Sequence, residues 1–346
     1  MVLLPRTRIA EGMRVAERLR LSVSQTPISV YSKKPVTVTA SLGVARVSET
    51  TPSIDELLVR TNLALHRSKE DGKNKVSFEL PGKKPGGQGD GVVSQIMDAL
   101  YRGDQFHVLM EPIVQFSNGQ PIGYEFLSRL SIEGFEMPDD FFRLCLEHNI
   151  LTLVDHRCFE TCIAAGGDLL MNIRCHVNLF PSTMINIPVR HLIEAIPRNG
   201  QDKKYCIEIS EQQIIGDPSY LIGPVTTLKE ANILVAIDDV GFGRSCLESL
   251  ILLEPDIVKI DKRCITGVSK DRTLGRQLKR ILKVTESLGT EVVAEGIESN
   301  EDLETLKELG VKYGQGYLWG KPKRMPFQLD RLKDREDKTK AFRKTA

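Results

Sequence analysis

Apolar and polar positions alternate along this chain in blocks, and the period switches between two and about 3.6 residues, the marks of strand and amphipathic helix. Ile9, Met13, Ala16 and Leu19 share one helical face and predict a helix over 6–21. Residues 35–47, PVTVTASLGVARV, alternate like a strand. Residues 53–70 read as a second helix, with Ser53 as N-cap and Gly72 past its end. Residues 74–80, NKVSFEL, predict another strand. The next stretch, 81–92, holds five glycines and two prolines and cannot sustain a regular element, so it reads as a linker. Two helices and two strands in residues 1–80 make a thin core for an independent domain.

Beyond the linker the alternation becomes regular. Strand-like runs occur at 107–115, 120–127, 173–179, 205–210, 233–237, 256–260, 290–294 and near 311–313. Helical patterns lie between most of them, at 140–165, 217–231, 245–253, 270–288 and 300–309. This spacing is that of repeated βα units and predicts an α/β fold, a (β/α)8 barrel over 93–330, with a doubly wound open sheet as the alternative. The last stretch, 331–346, is a charged tail expected to be disordered.

Composition narrows this picture. Of 346 residues, 41% are hydrophobic and 27% charged, with 47 Lys plus Arg against 46 Asp plus Glu. A net charge of +1 argues against a partner of DNA or RNA, which would draw a basic excess. The sequence holds no apolar run long enough to span a membrane, and its start, MVLLPRTR, lacks the apolar stretch of a signal peptide. The seven cysteines form no C-x-x-C, and Cys158 and Cys162 read as core residues on one helix face rather than a zinc pair. Free thiols in a reducing cytoplasm are expected.

The candidate chemistry lies at the strand ends. Glu208, the pair Asp238-Asp239, Lys259 and Glu295 stand at or near the ends of four successive strands, and earlier strands add Glu125 and Asn178. In a barrel such ends meet at one face. Any one acid there can equally be the N-cap of the next helix, and Asp261 and Glu304 read as structural or solvated. His176 and His156 read as core or surface histidines, Tyr317 and Trp319 as packing residues. Together, however, the carboxylates would repel one another unless cations intervene. All-oxygen ligation selects Mg²⁺, Mn²⁺ or Ca²⁺ over zinc. Adjacent aspartates suit a two-ion arrangement, which serves phosphodiester cleavage.

These residues carry a resemblance. Residues from about 95 to 325 resemble the EAL domain, a cyclic-di-GMP phosphodiesterase module. The matching pieces are Glu125-Phe126-Leu127 with Arg129, His176-Val177-Asn178, Ile207 to Glu211, Ala236 to Asp239, Asp256 to Asp261, Val293 to Glu298, and Gly314-Gln315-Gly316 with Lys321-Pro322. The resemblance implies a modified (β/α)8 barrel whose first strand runs antiparallel. It implies two Mg²⁺ or Mn²⁺ ions held by Glu125, Asn178, Glu208, Asp238, Asp239 and Glu295. Lys259, with Glu295 beside it, would serve catalysis by orienting or activating the attacking water. Arg129 would hold a substrate phosphate, Gln315 would contact a guanine, Glu211 would anchor the loop after Asp239, and Glu298 would lie behind the ligands. The implied reaction is hydrolysis of cyclic-di-GMP to linear pGpG, and the family allows a homodimer. Four positions depart from the family pattern. Phe126 replaces a small residue, Glu111 stands where a substrate-contacting Gln is usual, and Phe242 and Arg244 replace Thr and Tyr in the loop over 240–246. The departures at Glu111, Phe242 and Arg244 open an alternative, a catalytically weak or silent module that binds cyclic-di-GMP.

The N-terminal part, 1–80, resembles the second half of a GGDEF, or diguanylate cyclase, domain. The resemblance rests on Ala16 to Arg20, Val36 to Ala45, and Ala64-Leu65-His66 with Ser68-Lys69 and Gly72-Lys73-Asn74. The Gly-Gly-Asp-Glu-Phe run does not occur in the sequence, so cyclase activity is not expected.

Overall fold

The computed structural model describes residues 2–27, 35–47, 54–70, 72–78, 91–102, 105–147, 150–167, 173–197, 205–214, 216–241 and 246–324. The chain divides into two compact units, one of residues 1–105 with 131–154, the other of 106–130 with 155–346.

In the first unit, α1 (Ile9–Gln25) precedes β1 (Leu42–Val44), α2 (Ile54–Glu70), β2 (Val76–Phe78) and α3 (Gly91–Arg102). β1 and β2 pair in parallel, Leu42 opposite Val76, with α2 as the crossover that a parallel pair requires. Gly43 lets strand and helix touch, because a Cβ there would stand 2.2 Å from the Thr61 carbonyl oxygen. Arg20 clasps the turn before β2 through Asn74 Oδ1 at 2.7 Å. The strand expected over 35–47 shrinks to Leu42–Val44; its alternation continues at Val36 and Val38, but both stay exposed. α3 begins at Gly91, two residues inside the stretch expected as linker, and it buries Ile96 and Ala99. Residues 81–90, the N-cap Ser53 and the tail 331–346 lie outside the described residues.

The second unit is built on β3 (Phe106–Gln115), β4 (Pro121–Leu130), β5 (Arg174–Asn178), β6 (Tyr205–Ser210), β7 (Leu234–Val240), β8 (Ile257–Ile260), β9 (Glu291–Ala294) and β10 (Tyr313–Gly314). β4 to β10 run parallel in sequence order, and β3 pairs antiparallel with both β4 and β10, closing the sheet. The result is a (β/α)8-type barrel with a reversed first strand. A short β11 (Lys323–Arg324) adds antiparallel to β3. Helices fill the intervals, among them Leu151–Gly167, Ile222–Glu230, Cys246–Leu253, Arg272–Ser287 and Asn300–Glu308. The pattern over 140–165 splits into two helices, Pro138–Glu147, which belongs to the first unit, and Leu151–Gly167. Two short helices, Pro181–Asn186 and Val189–Ala195, have no counterpart in the periodicity. Each starts at or just after a proline, whose fixed φ suits a first turn.

Two apolar layers hold the barrel. Outward residues of the strands, including Val177, Ile207, Ile209, Val235, Ile237, Val258 and Ile260, pack beneath the helices. Inward residues Ile113, Cys206, Ala236, Ile257 and Val293 plug the interior. At the level where β5 and β9 begin, Arg174 and Glu291 bridge from opposite strands of the barrel.

Candidate functional site

Because successive side chains of a strand point to opposite faces, each barrel strand sends every second residue inward. Above Cys206 the next inward residue of β6 is Glu208, above Ile257 it is Lys259, and above Val293 it is Glu295. On β4 it is Glu125, and on β5 His176 and then Asn178. The apolar plug is thus capped by a polar layer.

Lys259 is the centre of that layer. Its side chain is fully buried, and Nζ donates to Glu125 Oε2 at 2.9 Å and to Glu208 Oε2 at 2.9 Å. Glu295 Oε1 lies 2.8 Å away and Asp238 Oδ2 3.6 Å. An ammonium has three protons, so the three short contacts saturate it. Asn178 Nδ2 donates to Glu125 Oε1 at 2.8 Å, and Gln315 Nε2 to Glu125 Oε2 at 2.6 Å and to Glu295 Oε1 at 3.1 Å. Gln315 Oε1 is buried with no hydrogen-bond partner among the described residues.

Asp238 and Asp239 are consecutive, yet both contribute to the site. The β7–β8 register shifts between Ile237 and Val240, and Asp239 takes φ 61°. This bulge interrupts the alternation and turns both carboxylates to one side. Ser210 Oγ donates to Asp239 Oδ2 at 2.6 Å, and the Asp239 N–H donates to Asp238 Oδ1 at 2.8 Å.

The electrostatics are unbalanced. The carboxylates of Glu125, Glu208, Asp238 and Glu295 gather around the ammonium of Lys259, and Asp239 adds a fifth beside Asp238 and Glu295. Burial pushes Glu125 up, but the Lys259 charge and the hydrogen bonds of Gln315, Lys259 and Asn178 outweigh it and hold the carboxyl near 2. Burial raises Glu208 and Asp238 to about 8 each, and raises Glu295 well above its ordinary range. Left to itself the site takes up protons. Divalent cations answer the same excess of charge. Two overlapping oxygen sets, Glu125/Glu208/Asp238 and Asp238/Asp239/Glu295, each bring their ligand atoms within 4.8 Å of one another. All-carboxylate donors sharing Asp238 fit hard divalent ions.

The remaining expected residues fall in different places. Arg129 is half-buried towards the end of β4, and its Nη1 donates to the Ser128 carbonyl at 2.8 Å. Glu111 lies directly opposite Glu125 across the β3–β4 ladder, and burial, then the Glu125 charge, raises it to about 7. Glu211 is buried in the turn after β6, whereas the loop it is expected to anchor, with Phe242 and Arg244, lies outside the described residues. Glu298 is exposed and does not join the hydrogen bonds of the cluster, because the chain turns away at Gly296, φ 66°. Asp261 caps the helix Lys262–Ile265 by accepting from the Arg263 N–H at 2.7 Å.

One residue of the cluster was not expected there. His176 is fully buried, and Nδ1 lies 2.7 Å from Glu208 Oε1. Burial, then the Lys259 charge, lowers it to about 3, so the ring is neutral and shares one hydrogen bond with Glu208. Its signal in the sequence is its place two residues before Asn178, on the same strand face.

Comparison with known proteins places this geometry. Residues 93–322 match the profile of the EAL domain. The chain belongs to the EAL domain family. Residues 1–75 match that of the diguanylate cyclase, GGDEF domain. The probable cyclic di-GMP phosphodiesterase PdeD of Escherichia coli (strain K12) is 29% identical over 223 residues, 63% of this chain and 42% of that protein. The cyclic di-GMP phosphodiesterase NbdA of Pseudomonas aeruginosa is 26% identical over 334 residues, 93% of this chain and 42% of that protein. The chain therefore spans less than half the length of these relatives. Among solved structures, an EAL domain protein from Listeria monocytogenes EGD-e is 26% identical with a TM-score of 0.58, covering 72% of this chain and 98% of that one. BlrP1 of Klebsiella pneumoniae, solved as a manganese and cyclic-di-GMP complex, is 25% identical with a TM-score of 0.57, covering 64% of this chain and 56% of that one. Among the described residues, no helix of this EAL protein is long and apolar enough to cross a membrane.

Proposed function

We propose that the barrel over 93–330 hydrolyses one phosphodiester bond of cyclic-di-GMP, giving linear pGpG, with two divalent metal ions at the carboxylate cluster. The observation that carries this reading is the pair of overlapping three-carboxylate sets wrapped around the buried Lys259. Glu125, Asn178, Glu208, Asp238, Asp239 and Glu295 would hold Mg²⁺ or Mn²⁺. The bound ions would supply Lewis acidity and offset the charge of substrate and carboxylates.

The chain's own residues do the rest. Lys259 gathers Glu125, Glu208 and Glu295 into one layer and stands beside the attacking water. Neutral His176 orients Glu208, and the amides of Asn178 and Gln315 orient Glu125. Arg129 takes a substrate phosphate, and Gln315 Oε1 is the acceptor a guanine N–H would meet. Water adds to phosphorus as the bond from phosphorus to the 3′ oxygen breaks. The GGDEF-like segment at 1–80 is joined to the barrel through 81–92, and in this reading the module acts in the cytoplasm.

Glu111 favours a second reading, binding without turnover, because its carboxylate faces the place of an anionic ligand. One assay separates the two. Wild type and Lys259→Ala are incubated with cyclic-di-GMP and Mn²⁺, and the nucleotides are resolved by chromatography. Conversion to pGpG by wild type alone supports hydrolysis. Tight calorimetric binding with the dinucleotide left intact supports the second reading, and no binding at all rejects both.

A further inference from the structure

The inward face of β3 and β4 does not end at Glu111 and Glu125. Directly paired residues of a ladder share a face. The next pair towards the mouth is Leu109 and Leu127, and the one beyond it His107 and Arg129. β11 sets Arg324 opposite Leu109, so Arg324 starts from that same face. Rows on one face are about 7 Å apart, and the Arg324 side chain climbs one row, bringing Nη2 to 3.2 Å from His107 Nε2. Arginine has no acceptor, so His107 Nε2 accepts and the ring is neutral in this contact. A strand of two residues thus brings a second guanidinium to the row of Arg129.

That placement is on the substrate side of the cluster. Arg129 is within electrostatic reach of Glu111, Glu125 and Tyr317, and Arg324 is exposed on the other side of β3. Two guanidiniums at one level match an anion with several acceptor oxygens. A cyclic dinucleotide carries two phosphates, and only one can react at the carboxylates. Resting on the function proposed above, we infer that Arg324 binds the non-reacting phosphate together with Arg129, and that His107 is its positioning residue. The extra cation stands two rows above the Glu111 carboxylate on the same face.

Calorimetry with cyclic-di-GMP and Ca²⁺, alongside initial rates with Mn²⁺, tests this. Arg324→Gln is expected to weaken binding and raise KM on the order of ten-fold, with kcat within two-fold of wild type and an unchanged melting temperature. Arg324→Lys should recover part of the loss. His107→Phe should raise KM in the wild-type background and add nothing in the Arg324→Gln background. Arg324→Gln that binds like wild type overturns the inference and leaves the proposed function standing. An Arg324 effect that vanishes in a Glu111→Gln background overturns it too, since Arg324 would then only neutralise Glu111. Wild type that neither binds nor hydrolyses overturns both.

Discussion

At the scale of residues, the site is a problem of charge around Lys259. Its three short contacts hold carboxylates that would otherwise separate. Lys259→Met should lower kcat by about 10²–10⁴-fold, measured as initial rates at saturating Mn²⁺; a variant within ten-fold of wild type would remove Lys259 from the chemistry. Glu111→Gln removes a like charge opposite Glu125 and should lower KM for cyclic-di-GMP several-fold. His176→Leu removes the hydrogen bond between Nδ1 and Glu208 and should weaken metal binding by about 10–100-fold, read by Mn²⁺ titration. The acids, Asn178 and Lys259 were legible in the sequence because strand ends collect them. The histidine was not, because a lone buried histidine resembles core until the carboxylate across the ladder is seen.

At the scale of elements, strand and helix order were legible because alternation and amphipathic periodicity persist through the barrel. The bulge at Asp238 and Asp239 was not. In a regular strand consecutive acids face opposite ways, and the register shift that reunites them leaves no mark in polarity. Gly316 shows how tightly the elements meet. At φ 149° a Cβ would stand 2.3 Å from the Ile297 N–H nitrogen. Gly316→Ala should cost about 1–3 kcal/mol in denaturant unfolding and lower activity by shifting Gln315. Asp155 ties the helix Leu151–Gly167 to the loop after β5, its Oδ2 accepting from the Phe180 N–H at 3.0 Å. Burial raises its carboxyl to about 7. The folded protein therefore holds this proton more tightly than the unfolded chain. The contribution of Asp155 to stability is full below about pH 4 and is lost as pH rises through about 7. Melting curves of wild type and Asp155→Asn should diverge along that interval, and a pH-independent difference would contradict the assignment.

At the scale of the whole molecule, the near-zero net charge hides a concentrated acidic centre. A net charge of +1 says nothing of how charge is distributed inside. With Glu208 and Asp238 raised to about 8 in the metal-free protein, both hold protons at pH 7. Filling the cluster must release them. Calorimetric Mn²⁺ titrations in buffers of different ionisation enthalpy should report at least one proton released per protein at pH 7, falling as pH approaches 9. Among the described residues the parallel pair of the N-terminal unit has three rungs, and a sequence alternating over 35–47 could not reveal that its ladder is confined to Leu42–Val44.

The most direct test of the account follows the product. Purified protein, freed of metal with EDTA and then supplied with Mn²⁺, is given cyclic-di-GMP alongside the Glu125→Ala variant. The account predicts pGpG from wild type with Mn²⁺, none with EDTA, and none from the variant. Cyclic-di-GMP left intact by wild type with Mn²⁺ and with Mg²⁺, or turned over equally by Glu125→Ala, would contradict it.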